Sequence, residues 1–63
     1  MTGHQLKELR KTLGMTQYML AVHLDVDRRT VWTWEAGRAP IPHTVELVMK
    51  QMQKDGSIFG DYT

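Results

Sequence analysis

Leu6, Leu9 and Leu13 stand three and four residues apart, the interval that lines up side chains on one face of an α-helix. Thr2 with Gln5 forms a capping-box arrangement ahead of them, and Gly14 marks the stop. A second segment opens at Thr16, another N-cap residue, and sets Gln17, Leu20, Ala21 and Leu24 on one face. Asp25-Val26 is a tight connection, and Asp27 caps a third segment that ends at Gly37. Pro40 and Pro42 then break the chain, with Pro42 suited to the first turn of a fourth helix. That helix carries Ile41, Val45, Val48, Met49 and Met52, and Asp55-Gly56 ends it. Beyond it Ile58, Phe59 and Tyr62 follow no period. No segment alternates like a strand. The pattern predicts an all-α fold, with a compact four-helix domain over residues 1–56 and a short C-terminal tail over 57–63.

The third segment, "DRRTVWTWEAGR", holds both tryptophans of the chain. Residues two apart on a helix point about 200° away from each other, so Trp32 and Trp34 cannot share one core. Val31 and Trp34 lie about 60° apart, whereas Trp32 lies about 40° from Arg28 and about 60° from Arg29. Trp34 is therefore expected inside. Trp32 is expected outside, on a face with Arg28, Arg29 and Thr33.

Length and composition narrow what that face can be for. A chain of 63 residues makes one domain with a marginal core, of the kind often steadied by oligomerisation or a partner. It has no cysteine, which excludes disulfides and a thiolate metal site. There is no stretch of membrane-spanning length and no signal-peptide pattern, so the expected location is the cytoplasm. The formal net charge is only +1. Any affinity for nucleic acid must come from where the charges sit. His4, His23 and His43 fall on different elements, and the set His23, Asp25 and Asp27 straddles a helix end and a turn, so no metal is expected. Without a nucleophile near a base, or a glycine-rich phosphate loop, neither an enzyme nor a cofactor is expected.

The second and third segments are each about two turns long, and their connection is too short for an antiparallel hairpin. This is helix-turn-helix geometry. It needs a small residue at the close approach, which Ala21 supplies, and a turn residue that tolerates positive φ, which Asp25 can be. Val26 and Val31 are placed to anchor the second of the two helices. Over Leu6 to Met52 the chain resembles the phage repressor and Cro-type helix-turn-helix (XRE) family. The matching residues are Leu9-Arg10, Gly14, Met15-Thr16-Gln17, Leu20-Ala21, Leu24, Val26, Val31, Trp34-Glu35 and Gly37. It departs from that family at Asp25, where glycine is preferred, at Asp27, where serine or threonine is usual, and at Trp32, where a polar residue is usual. The tail stands where the family has a fifth helix.

The resemblance makes the third segment a recognition helix, whose first turn contacts bases. Arg28, Arg29, Trp32 and Thr33 are then the base-contacting candidates, against the plain alternatives of a solvated arginine pair and an incidentally exposed or dimer-contacting ring. Gln17, at a helix N-terminus, and Arg38, past the glycine stop, are the phosphate-contacting candidates. Local capping and a surface charge are their respective alternatives. Arg10 and Glu35 are implied to form a partly buried structural ion pair. Asp27 reads first as an N-cap, and second as an acceptor for cytosine N4 or a guide for the arginines.

The function expected is sequence-specific binding of a short palindromic operator in double-stranded DNA as a homodimer. The resemblance suggests a transcriptional repressor from a phage or other mobile element. The alternative is a protein-interaction module, such as an antitoxin or adaptor, on the same fold. No small-molecule ligand is expected. Two recognition helices must stand about 34 Å apart on a symmetric site, so something must couple two copies. Leu47 falls off the apolar face of the fourth helix. With Ile58, Phe59 and Tyr62 of the tail it makes the expected dimer interface; the alternative has Ile58 and Phe59 folding back over the core.

Overall fold

The computed structural model describes residues 1–56 and builds four helices, α1 (Gly3–Thr12), α2 (Gln17–Leu24), α3 (Arg28–Glu35) and α4 (His43–Asp55). There is no strand among the described residues. The tail residues Ile58, Phe59 and Tyr62 lie outside them.

Each of the first three helices starts where a side chain can take an amide that the helix leaves unpaired. Thr2 Oγ1 accepts from the Gln5 N–H at 3.1 Å, and Gln5 Oε1 accepts in return from the Thr2 N–H at 2.8 Å. Thr16 Oγ1 accepts from the Met19 N–H at 3.0 Å. Asp27 Oδ1 accepts from the Arg29 N–H at 2.9 Å. The turn between α2 and α3 reverses through Asp25, which is left-handed at φ 58° and ψ 46°. The Val26 N–H then donates to the Ala21 carbonyl at 2.9 Å, the bond that closes a Schellman motif.

The start of α4 differs from expectation. Pro42 is the N-cap residue, with ψ 143°, and supplies no side-chain bond to the helix. Ile41 therefore stays in the connecting stretch, where it packs half-buried against the core. Val48, expected on the buried face, is 37% exposed. It lies about 60° from Val45, at the edge of an arc that Val45, Met49 and Met52 centre on the interior.

One residue from each helix, Leu6, Leu20, Val31 and Met49, is wholly shielded from solvent. Around this quartet α2 packs chiefly on α3, and α1 bridges α3 and α4. The approach of α1 to α3 is very close. A Cβ on Gly3 would lie 2.6 Å from the Glu35 carbonyl oxygen and nearer still to that of Trp34. Only glycine fits at that distance. The positive end of α1 thus meets the negative end of α3, a favourable pairing of helix dipoles.

On the other side of α1, the Met1 ammonium contacts Glu46 Oε1 at 2.8 Å, and Lys50 Nζ contacts Glu46 Oε2 at 3.0 Å. Hydrogen bonds from the Met1 ammonium and then from Lys50 hold the Glu46 carboxyl at about 2, well below its ordinary range.

Candidate nucleic-acid interface

Helical phase divides α3 into two sides. Val31 is 0% and Trp34 7% exposed, while Trp32 on the opposite side is 47% exposed. Arg28 and Arg29 are exposed beside it, and Thr33 is half-buried. The Thr33 hydroxyl donates to the Arg29 carbonyl at 2.8 Å, so its methyl and its oxygen lone pairs are what it offers outward.

Arg28, Arg29 and Trp32 form one wall of an open cleft of about 820 Å³ and face Thr16, Gln17 and Tyr18 at the head of α2, whereas Thr33 lies off this cleft, in a smaller one with Thr30 and Ala39. The opposite wall carries the first-turn amides of α2, which attract anions through hydrogen bonding and the helix dipole. Two guanidinium groups and a helix N-terminus in one groove suit a phosphodiester backbone and the base edges beside it. Asp27 also lines the cleft. Its carboxylate is occupied as the cap of α3.

Beneath the cleft runs a polar network that fixes its two walls. Arg10 Nε donates to Glu35 Oε2 at 2.7 Å and Arg10 Nη2 to Glu35 Oε1 at 3.0 Å, a bidentate pair. Arg10 Nη1 reaches the Met15 carbonyl at 2.9 Å. The side chains of the pair are 9% and 4% exposed. A pair this buried is sound only when its remaining donors and acceptors are satisfied. No buried side-chain nitrogen or oxygen among the described residues lacks a partner.

Gln17 joins the same network, because its Nε2 donates to Glu35 Oε1 at 3.0 Å. The sequence sends this side chain to phosphate, but the structure turns its amide inward onto Glu35. What remains at the cleft is the Gln17 backbone, at the head of α2. Arg38 is also engaged. Its Cζ sits over the Trp32 ring, 5.5 Å from the centroid.

Tyr18 is the cleft residue that sequence reasoning missed. It is 63% exposed, and Val22, one turn on, is 61% exposed. Almost every position of α2 is apolar, so amphipathic contrast cannot distinguish its inner from its outer side. Leu47 is 54% exposed on α4. Among the described residues no group of His, Cys, Asp and Glu is arranged to hold a metal, and no helix is long and apolar enough to cross a membrane.

Comparison with known proteins places this geometry. No curated protein and no solved structure matches the chain. The profile of the helix-turn-helix domain family matches residues 2–49, which takes in α1, α2, α3 and the first half of α4. The match covers most of the chain, including both walls of the cleft, and the chain belongs to the helix-turn-helix domain family, a DNA-binding one.

Proposed function

We propose that this protein is a sequence-specific transcriptional regulator of the repressor and Cro (XRE) type, which acts by occupying a short palindromic operator and blocking polymerase. The observation that carries this reading is the position of Arg28 and Arg29, exposed on the first turn of α3 with Val31 and Trp34 buried behind them. In this reading α3 lies in the major groove. Arg28 and Arg29 reach base edges, with Trp32 and Thr33 lying along the same groove. The head of α2 at Gln17 and the Arg38 side chain flank it on phosphates. The protein works in the cytoplasm without catalysis of its own.

A palindromic operator calls for a homodimer, and Leu47 is the described residue best suited to the interface, with Ile58, Phe59 and Tyr62 continuing it. The exposure of Leu47 supports this assignment. The other reading, a protein-interaction module, draws on the exposed Tyr18 and Val22 of α2.

Selection of duplexes from a randomised pool by the wild-type protein, followed by titration of the selected duplex, tests the proposal. Arg28→Ala and Arg29→Ala should each weaken specific binding by about 1–3 kcal/mol per lost base contact while the melting temperature holds. A double variant that binds the selected duplex as tightly as wild type would sink the assignment of this face. Sedimentation of Leu47→Glu should give a folded monomer with weakened operator binding. A dimer that survives this change has its interface elsewhere.

A further inference from the structure

We infer that Trp32 serves DNA binding through Arg38. The indole is a platform that holds the Arg38 guanidinium ready for a backbone phosphate at the edge of the groove. This rests on the DNA-binding reading above and assigns Trp32 a role within it as a positioning residue.

Four observations converge. The Arg38 Cζ lies 5.5 Å from the centroid of the Trp32 ring, inside the range of about 6 Å over which a cation is drawn to an aromatic face. Arg38 takes part in none of the ion pairs among the described residues. Among the described residues its charge is therefore held by the ring and neutralised by no carboxylate. The Arg38 side chain makes no hydrogen bond among the described residues, so its fork of N–H donors is open to a phosphate, whose oxygens it matches bidentately.

The third observation concerns the backbone. Arg38 follows Gly37, which is left-handed at φ 74°. The Arg38 N–H donates to the Thr33 carbonyl at 3.0 Å. This closure fixes the Cα of Arg38 against the end of α3, so the cation–ring contact joins two anchored residues. A pre-ordered arginine loses less rotamer freedom on binding than a free one. The fourth is position. Arg38 stands beyond the C-terminal end of an eight-residue helix whose first turn carries Arg28 and Arg29. On a recognition helix the first turn meets bases. A group past the far end meets the sugar–phosphate wall.

The test is a double-substitution cycle read by fluorescence anisotropy. Labelled probes are a random-sequence duplex and a duplex selected by the wild-type protein, each titrated over a series of KCl concentrations. Arg38→Ala should flatten the dependence of log K on log salt by about 1, the loss of one phosphate contact. Trp32→Leu should weaken binding about 2–5-fold, and Trp32→Phe, which keeps an aromatic face, should restore most of that loss. With Arg38 already alanine, Trp32→Leu should cost nothing more.

An additive cycle would overturn the inference and make Trp32 a direct DNA contact. So would a Trp32→Phe variant as weak as Trp32→Leu, or an Arg38→Ala variant with an unchanged salt dependence. If the wild-type protein binds neither duplex in a salt-dependent way, the DNA-binding reading itself fails. Binding by wild type with an additive cycle removes this inference alone.

Discussion

Gly3→Ala is expected to destabilise the domain, against the usual direction of a glycine-to-alanine change in a helix. The substitution improves helix propensity by at most about 1 kcal/mol, and by less at the first helical position. Opposing it is the new Cβ, 2.6 Å from the Glu35 carbonyl oxygen and closer to that of Trp34. A carbon and a carbonyl oxygen rest comfortably at about 3.3 Å or more, so α1 must retreat by roughly 0.7 Å to clear Glu35 and further to clear Trp34, or the end of α3 must move. Both obstacles are backbone atoms, and no side-chain rotation relieves them. The retreat also pulls on the bidentate Arg10–Glu35 pair, whose shorter contact is 2.7 Å. Overpacking of this kind costs about 1–3 kcal/mol, which leaves a net loss of about 1–2 kcal/mol after the propensity gain. For a domain of this size that lowers the melting temperature by roughly 5–15 °C. Thermal unfolding followed by far-ultraviolet circular dichroism measures it, with Gly37→Ala as the comparison. Gly37 has φ 74° and nothing within 4 Å of its virtual Cβ, so that variant suffers only the left-handed conformation, about 1–2 kcal/mol. A Gly3→Ala protein that melts at or above the wild-type temperature would refute the reasoning, because it would show that the α1–α3 approach yields freely.

Trp34→Ala should cost about 3–5 kcal/mol, comparable with the whole stability of about 3–9 kcal/mol expected of a chain this long; circular dichroism should find it largely unfolded, while Trp32→Ala melts near wild type. Asp25→Gly should raise the melting temperature, since it relieves a side chain held at φ 58°; about 0.5 kcal/mol is expected once the added freedom of the unfolded chain is subtracted. The Glu46 carboxyl, held at about 2 against an ordinary 4.5, stabilises the fold in its charged form. Its contribution is complete above the ordinary value and is lost as the pH falls from there toward the depressed one. Melting curves of wild type and Glu46→Gln should therefore differ by a constant amount between about pH 5 and pH 7 and converge toward pH 2. A difference that does not change across that range would mean the ion pairs with Met1 and Lys50 add nothing.

The fold was legible wherever its cause is local. Thr2 with Gln5, Thr16 and Asp27 cap from within a few residues, and Asp25 takes the left-handed turn because the connection leaves no other way round. The orientation of the tryptophans follows from helical period alone. What the sequence concealed depends on approach in space. Nothing beside Gly3 announces the carbonyls of α3 above it, and nothing in α4 tells that Glu46 will meet the Met1 ammonium. Gln17 stands among α2 residues, yet its amide partner is Glu35, at the end of α3. Arg38 is the clearest case. Six residues along an unbroken helix would put it about 120° away from Trp32. The left-handed turn at Gly37 brings it back over the ring.

The two-sidedness of α3 bears on how such a protein can change. Its inward residues Val31, Trp34 and Glu35 belong to the core and the buried ion pair, and its outward residues Arg28, Arg29 and Trp32 support little of the fold. Exposed positions of that kind typically exchange within about 0.5 kcal/mol. If α3 reads bases as proposed, the preferred DNA sequence can therefore drift by substitution at Arg28 and Arg29 without passing through an unfolded intermediate. The scaffold is thus suited to diversification, and a library randomised at these outer positions should remain largely folded. Asp27 is the exception, because its carboxylate caps the helix and also lines the cleft. Selection for a new target and selection for stability meet at that one residue.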